Sequence, residues 1–89
     1  MSGRVFRVEL ARRAERALLA LPAEFSARIE ARIDALVRDP RPSGAKKLAG
    51  DEELYRLRVG DYRVLYQVRD RVLVVLVVDV GHRREVYRR

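Results

Sequence analysis

The chain has 89 residues, of which 48% are hydrophobic and 37% charged, and its formal net charge is +7 at pH 7. This length predicts one small domain, residues 1–89, and the absence of cysteine excludes disulfides and thiolate metal sites. A single histidine cannot build a multi-histidine zinc site, and the longest apolar run, Val72–Val78, is too short for a transmembrane helix. The N-terminus lacks the apolar segment of a secretion signal, so we expect a cytoplasmic protein with no membrane partner.

The positive charge is concentrated in the second part of the chain. Residues 1–53 carry 11 basic and 9 acidic side chains, whereas residues 54–89 carry 9 basic and 4 acidic ones. Of the 20 basic residues only Lys46 and Lys47 are lysines. A GC-rich genome would favour arginine over lysine, but it does not explain the uneven charge. Because guanidinium groups form planar, bidentate contacts with phosphate or carboxylate, the second part predicts an anionic partner.

The first part predicts a strand and a helical hairpin. Arg4–Glu9 alternates imperfectly, which suits a strand at a sheet edge. A helix is predicted from Glu9 to Pro22, with apolar residues at three- and four-residue spacing: Leu10, Ala14, Ala17, Leu18 and Leu21. Pro22 opens a second helix that ends at Asp39-Pro40, with its own apolar stripe: Phe25, Ile29, Ile33, Leu36 and Val37. Neither helix can bury the other's stripe alone, so both are expected to pack on a sheet.

Arg41–Glu53 is predicted to be a loop, because turn-forming residues lie at each end. Leu48 is its clear apolar anchor. Lys46 and Lys47 are expected to be solvated, where they could reach a bound polyanion.

Leu54–Val68 predicts two strands joined by a two-residue turn at Gly60-Asp61. In this register Val59 faces Tyr62 and Arg58 faces Arg63. One side of the hairpin then carries Tyr55, Leu57, Val59, Tyr62, Val64 and Tyr66, and the other carries Arg56, Arg58, Arg63, Leu65 and Gln67. Like charges directly opposite each other are destabilising, so the arginine side makes physical sense if it binds an anion.

The run Val72–Val80 has no polar alternation until Asp79, which predicts a central strand covered on both faces. With a three-residue loop at 69–71, Val68 faces Val72, and Asp79 lies on the arginine side, where it could hold an arginine. A two-residue loop would flip this side.

The end of the chain predicts a turn at Gly81 and a final short strand or ordered tail at Val86-Tyr87. The predicted fold class is therefore α+β: an N-terminal strand, a two-helix hairpin, a three-stranded antiparallel sheet and a short C-terminal strand or tail. The helices would cover the aromatic side of the hairpin and leave the arginine side open and basic.

Three segments resemble the RelE/ParE superfamily of bacterial toxins: Leu48–Gly50, Tyr55–Gln67 and Val80–Tyr87. The resemblance covers essentially the whole chain and implies the RelE-like microbial RNase fold. It implies a toxin of a type II toxin–antitoxin module, whose RelE-type members cleave messenger RNA in the ribosomal A site without a metal or other cofactor. The implied partners are the ribosome with its messenger RNA and an acidic, RelB-like antitoxin encoded alongside. The toxin would contact DNA only through its complex with this antitoxin.

The resemblance also implies a set of site residues. Basic residues of the RelE hairpin match Arg56 and Arg58, the arginine after the Gly-x-Tyr segment matches Arg63, and residues after the last turn match Arg83 and Tyr87. Metal-free cleavage needs a base for the 2′-hydroxyl, an acid for the 5′-oxygen and cations on the phosphorane, and guanidinium groups suit the last role. Together with His82, Lys46 and Lys47, which are candidates by their own chemistry and position, these give the expected site. The expected catalytic residues are Arg58, Arg63, Arg83, Tyr87 and His82, and the expected phosphate-binding residues are Arg56, Arg58, Arg63, Lys46 and Lys47.

This chain departs from the RelE pattern in two ways. RelE enzymes carry lysines where it has Arg56 and Arg58, and its segment between Arg83 and Tyr87 is shorter. Arginine is a poor proton carrier, because its pKa stays above about 12. Proton transfer is therefore expected from His82 or Tyr87.

Two alternatives to an RNA-cleaving enzyme stay open. The missing lysines also fit a toxin without nuclease activity, like the ParE members that poison DNA gyrase. The third hypothesis is a homologue that has lost toxicity and persists as an antitoxin-binding or operator-binding partner.

Overall fold

The structure, a computed structural model, describes residues 4–48, 50 and 53–82. Two helices and five strands follow each other in this part of the chain: β1 (Arg7–Leu10), α1 (Arg12–Ala20), α2 (Ala23–Ala35), β2 (Ala45–Lys47), β3 (Leu54–Val59), β4 (Tyr62–Arg69) and β5 (Val74–His82). The strands form one sheet in the order β1-β5-β4-β3-β2, in which β1 runs parallel to β5 and the other neighbours are antiparallel. The α+β class is confirmed, whereas the predicted strand or tail at Val86-Tyr87 lies outside the described residues.

β1 is an edge strand, as its imperfect alternation predicted. The amide of Arg7 donates to the Leu73 carbonyl at 2.8 Å, and the amide of Ala11 donates to the Val77 carbonyl at 2.8 Å. These bonds on either side of β1 keep Leu10 in the strand, where it is 40% exposed. The predicted helical start at Glu9 is therefore wrong, because pairing with β5 takes the backbone groups that a helix would use.

The two helices form the predicted hairpin, and each buries one stripe. Ala14 and Leu18 of α1, and Ile29 and Ile33 of α2, are at most 5% exposed. Pro22 directly precedes α2 with a φ of −55°, so it joins the helices without a longer loop. Among the residues described, no helix has both the length and the apolar character needed to cross a bilayer.

The hairpin of β3 and β4 has the predicted register. Val59 lies opposite Tyr62 and Arg58 opposite Arg63. Gly60 opens the two-residue turn with a φ of +60°, a conformation that glycine adopts without a steric penalty. The division of side chains between an aromatic side and an arginine side follows directly from this register.

The register between β4 and β5 differs from the predicted one. β5 begins at Val74, after a turn that is one residue longer than expected and that contains Leu73 with a φ of 55°. Val68 therefore lies opposite Val75 instead of Val72. An uninterrupted apolar run does not specify its register, because a slip replaces one apolar side chain by another.

A bulge between Leu65 and Tyr66 shifts this register once more. Beyond the bulge Leu65 lies opposite Asp79, and Arg63 opposite Gly81. Without the bulge, Asp79 would lie on the helix side; with it, Asp79 lies on the arginine side, as predicted. Gly81 belongs to β5, so the turn predicted at this glycine is wrong.

β2 lies in the segment that was predicted to be a loop, and this prediction is wrong for Ala45–Lys47. Ala45 pairs with Leu57 and packs against the core, which fixes the strand at the sheet edge. A strand of three residues is too short to show alternation, so nothing in its own sequence marks it.

The main core lies between the helices and the aromatic side of the sheet. The largest fully buried side chains are Tyr66, Ile29, Leu36, Leu57, Val64, Val68, Val75 and Val77. On the opposite side, Leu65, Val74 and Asp79 are only 3%, 4% and 7% exposed. The prediction of an open basic side is thus corrected: this side carries the arginines, but parts of it are buried.

A polar cluster lies at the end of the sheet that is remote from the Gly60 turn. The buried Tyr66 donates its hydroxyl to the Pro40 carbonyl at 2.8 Å, and burial raises the pKa of its phenol. Arg41 contacts both carboxylate oxygens of Asp70, at 2.7 and 3.2 Å, and donates to the Tyr55 hydroxyl at 2.8 Å. This Arg41 cluster ties the segment after α2 to the turn between β4 and β5.

Candidate functional site

The candidate site is the arginine face, by which we mean the side of the sheet that carries Arg56, Arg58 and Arg63. Arg58 is exposed, while Arg56 and Arg63 are half-buried. Since Arg58 and Arg63 are cross-strand partners, their side chains leave the sheet side by side. The structure thus brings together the hairpin arginines that were expected to form one cationic surface.

The β3–β4 turn helps to orient this pair. The Nε of Arg58 donates to the Gly60 carbonyl at 3.3 Å, which draws the side chain towards the turn. The Nε of Arg63 is buried, and Gly81, its cross-strand partner on β5, presents no side chain there.

The two lysines are divided between the faces of the sheet. Lys46 lies opposite Arg56 and extends the arginine face across β2, whereas Lys47 lies opposite Tyr55 on the helix side. Both side chains are exposed. The structure therefore joins Lys46 to the arginines and separates Lys47 from them.

Asp79 supplies a negative charge on the arginine face, and its partner was not predicted. Its Oδ2 lies 3.3 Å from the Nε of Arg13, a residue of α1. The sequence places Arg13 on the polar stripe of the helix, which normally faces solvent. The one sequence feature that pointed to this contact was Asp79 itself, a carboxylate in an otherwise apolar strand.

His82 lies on the helix side of the sheet, apart from the arginine face. It is the cross-strand partner of Tyr62, and the two rings meet edge to face with centroids 5.9 Å apart. Both residues line a pocket of about 280 Å³ beside Phe25 and Arg28 of α2. His82 is thus not brought together with Arg58 and Arg63.

The two remaining candidates, Arg83 and Tyr87, lie outside the described residues. Within residues 4–48, 50 and 53–82, no group of three or more histidine, aspartate or glutamate side chains is arranged to hold a metal. The chemistry available on the described part of the face is that of guanidinium and ammonium groups: binding phosphate and stabilising negative charge on its oxygens.

Comparison with protein families and with curated proteins shows similarity to known toxins. The family model described as the ParE toxin of type II toxin–antitoxin systems matches residues 8–87. A candidate RelE1 toxin from Methanocaldococcus jannaschii is 29% identical over 86 residues, which cover 93% of this chain and 96% of the relative.

Solved structures with the same fold come from several organisms. A chain of the RelE–RelB complex from Pyrococcus horikoshii is 32% identical, with 89% of this chain and 96% of that chain covered and a TM-score of 0.79. A chain of the RelBE2 toxin–antitoxin complex from Mycobacterium tuberculosis is 28% identical, with coverage of 88% and 98% and a TM-score of 0.78. A free RelE double mutant from Escherichia coli is 26% identical, with coverage of 93% and 90% and a TM-score of 0.79.

Proposed function

Because the chain belongs to the RelE/ParE superfamily of toxins from type II toxin–antitoxin systems, we propose that it is a metal-independent, ribosome-dependent mRNA endonuclease that inhibits translation in the bacterial cytoplasm. The family expected from the sequence motifs is confirmed. The observation that carries the enzymatic proposal is the Arg58–Arg63 pair, two neighbouring guanidinium groups on one basic surface.

The proposed reaction is an internal phosphoryl transfer. The 2′-hydroxyl oxygen attacks the adjacent phosphorus and forms a 2′,3′-cyclic phosphate, while the bond to the 5′-oxygen of the next nucleotide breaks. A base takes the proton of the 2′-hydroxyl, and an acid protonates the leaving 5′-oxygen. Negative charge grows on the non-bridging oxygens, where Arg58 and Arg63 would donate hydrogen bonds that strengthen in the transition state.

The proton transfers need groups other than these arginines, since a guanidinium keeps its protons throughout the physiological range. We assign one of the two transfers to Tyr87 and a further phosphate contact to Arg83, both by their match to the RelE motif. Arg56 and Lys46 would bind the phosphates next to the cleaved one, because they continue the cationic surface across β3 and β2.

The test is primer extension on a translated message after the protein is induced without an antitoxin. Wild type should cut within codons, and Arg63→Ala should lose the cuts. Arg71→Ala is the matched control, since Arg71 is an exposed arginine in the turn before β5 and should leave the cuts unchanged. Growth arrest with intact messenger RNA would refute the nuclease proposal.

We also propose that an acidic, RelB-like antitoxin encoded beside this chain neutralises it. The support is that similar chains were solved in RelE–RelB and RelBE2 complexes. Acidic antitoxin segments would cover the arginine face and reduce its charge. If Arg58→Glu combined with Arg63→Glu leaves the affinity for the antitoxin unchanged, the antitoxin binds elsewhere.

A second candidate function is poisoning of DNA gyrase without RNA cleavage. Two observations favour it: the matching family model is the ParE one, and arginines stand where RelE enzymes carry lysines. Double-strand breaks and an SOS response in the same induction experiment, with uncut messenger RNA, would support this candidate over the nuclease. Arg56→Lys combined with Arg58→Lys separates them further, because it should preserve RNA cleavage if the RelE-like mechanism operates.

A further inference from the structure

Asp79 is a nearly buried carboxylate beyond the point where β1 stops pairing with β5. β1 pairs with Val74–Val77 of β5, and among the described residues no strand pairs with this edge of β5 beyond Val77. There the Val80 amide donates to the Oδ1 of Asp79 at 2.9 Å. The other oxygen, Oδ2, is 3.3 Å from the Nε of Arg13, which belongs to the first turn of α1. One carboxylate thus joins the strand edge to an arginine from a different element.

The geometry of this ion pair leaves the end of Arg13 available. Asp79 contacts Nε, whereas the Arg13 side chain as a whole is 67% exposed. Because the contact uses Nε, the two terminal nitrogens remain for a ligand beside Asp79, which lies on the arginine face opposite Leu65. Arg63 is two residues from Leu65 along β4, which makes it a diagonal neighbour of Asp79, with Cα atoms about 7–8 Å apart.

Folding alone gives little reason for a charged group at this position. The Val80 amide needs an acceptor, and the uncharged amide oxygen of asparagine would provide one. An ion pair between a buried and an exposed partner contributes little net stability, because desolvation of the carboxylate offsets the attraction. A carboxylate on a face that binds RNA also repels the ligand. The charge is explained if its purpose is to hold Arg13.

We propose that Arg13 is a further phosphate-binding residue of the RNA site and that Asp79 is the positioning residue that orients it. Asp79 fixes the guanidinium through Nε and turns its terminal fork towards a phosphodiester of the RNA strand, next to the phosphate held by Arg58 and Arg63. This inference rests on the proposed RNA-cleaving function and extends its site from the hairpin to α1.

One substitution changes RNA binding in opposite directions under this role and under simple charge repulsion. Asp79→Asn keeps an acceptor for Val80 and removes a negative charge from the face, so plain charge repulsion predicts tighter RNA binding. The positioning role predicts weaker binding, because Arg13 loses its anchor. The readout is single-turnover cleavage of messenger RNA on programmed ribosomes, titrated with purified full-length protein. Half-saturation should rise roughly tenfold, as expected for loss of one charge-assisted contact, while the maximal rate changes less than twofold.

Substitutions at Arg13 test the same contact without disturbing the sheet. Arg13→Gln should raise half-saturation as Asp79→Asn does, and the double variant should behave like either single one. Arg13→Lys keeps the positive charge but replaces the guanidinium, with its Nε and terminal fork, by a single ammonium group. It should therefore also raise the protein concentration at half-saturation. Arg16→Gln, an equal charge change on an exposed position of α1, should leave it unchanged.

The possible failures are distinguishable. If wild type cuts no messenger RNA on the ribosome, the proposed function fails and this inference fails with it. If wild type cuts and Arg63→Ala does not, while the Arg13 variants match wild type, only this inference is overturned. Tighter or unchanged half-saturation in a folded Asp79→Asn variant overturns the positioning role. Should that variant not fold, Arg13→Lys decides: wild-type half-saturation would overturn the proposal.

Discussion

Arg58 and Arg63 lie directly opposite each other on β3 and β4, with both side chains on the same face of the sheet. Two like charges in this relationship repel, and the bond from Arg58 to the Gly60 carbonyl leaves the charge in place. We therefore expect the pair to lower the stability of the free protein. A bound phosphate would reduce this repulsion, so an anionic ligand favours the arrangement.

Arg58→Thr should stabilise the protein and weaken its activity. Threonine suits a strand and removes the repulsion, so the free energy of unfolding should rise by about 0.2–1 kcal/mol, a gain of up to several degrees in Tm. Messenger RNA cleavage should fall at least tenfold, because one phosphate donor is lost. Denaturant unfolding and primer extension measure the two effects. Arg71→Thr, with the same charge change but no opposing arginine, should alter neither, and a less stable Arg58→Thr would contradict the repulsion.

Tyr66→Phe should destabilise the fold without touching the arginine face. The substitution removes the hydroxyl that donates to the Pro40 carbonyl at 2.8 Å from a side chain that is 0% exposed. We expect a loss of about 0.5–1.5 kcal/mol in the free energy of unfolding, measured by denaturant titration. The matched control is Tyr62→Phe, because the half-buried Tyr62 packs through its ring on Phe25. A cost as large in this control would mean that the Pro40 contact is not the cause.

Asp70 should make the stability of the protein depend on pH in acid. The hydrogen bonds from Arg41 hold the pKa of the Asp70 carboxyl below its ordinary value. Its contribution is therefore complete above the unfolded-chain pKa of about 3.9 and is lost as the pH falls through the lower pKa of the folded state.

Asp70→Asn tests this contribution by denaturant unfolding at a series of pH values. The carboxylate is 43% exposed, so solvent screens the pair, and the variant should lose no more than about 1 kcal/mol at pH 7. The difference from wild type should shrink as Asp70 becomes protonated in the folded wild type. Asp34→Asn, the same substitution at an exposed position of α2, is the matched control. A difference that persists unchanged into strong acid would argue against the ion pair.

The parts of the fold that local pattern could predict are those with strong alternation or a defined turn. The hairpin register followed from Gly60 and from the alternation of apolar and basic residues on either side. β5 offered neither, since its run is apolar up to Asp79, and its register depends on the conformation of Leu73 and on the bulge between Leu65 and Tyr66. β2 was missed because three residues are too few to show a period.

The candidate site, too, could be predicted only where local sequence pattern determines the position of a side chain. Arginines on one hairpin share a face by local geometry, so Arg58 and Arg63 could be paired from sequence. The contact of Arg13 with Asp79 depends on where β1 ends and on how α1 packs against β5, which are properties of the tertiary structure. His82 was associated with the arginines as a proton carrier, whereas pairing with Tyr62 directs it to the helix side.

His82→Gln should leave the chemistry intact, because the His82 ring lies against Tyr62 on the helix side of the sheet, away from Arg58 and Arg63. We expect a cleavage rate within twofold of wild type. The pH–rate profile between pH 5 and 8 should also match that of wild type, since a histidine acting as acid or base would titrate in this range. Tyr87→Phe is the contrasting variant, and its rate should fall because it lacks the phenolic proton. A loss of more than tenfold in His82→Gln, with the profile altered, would mean that His82 reaches the cleaved phosphate and that the site extends around the end of β5.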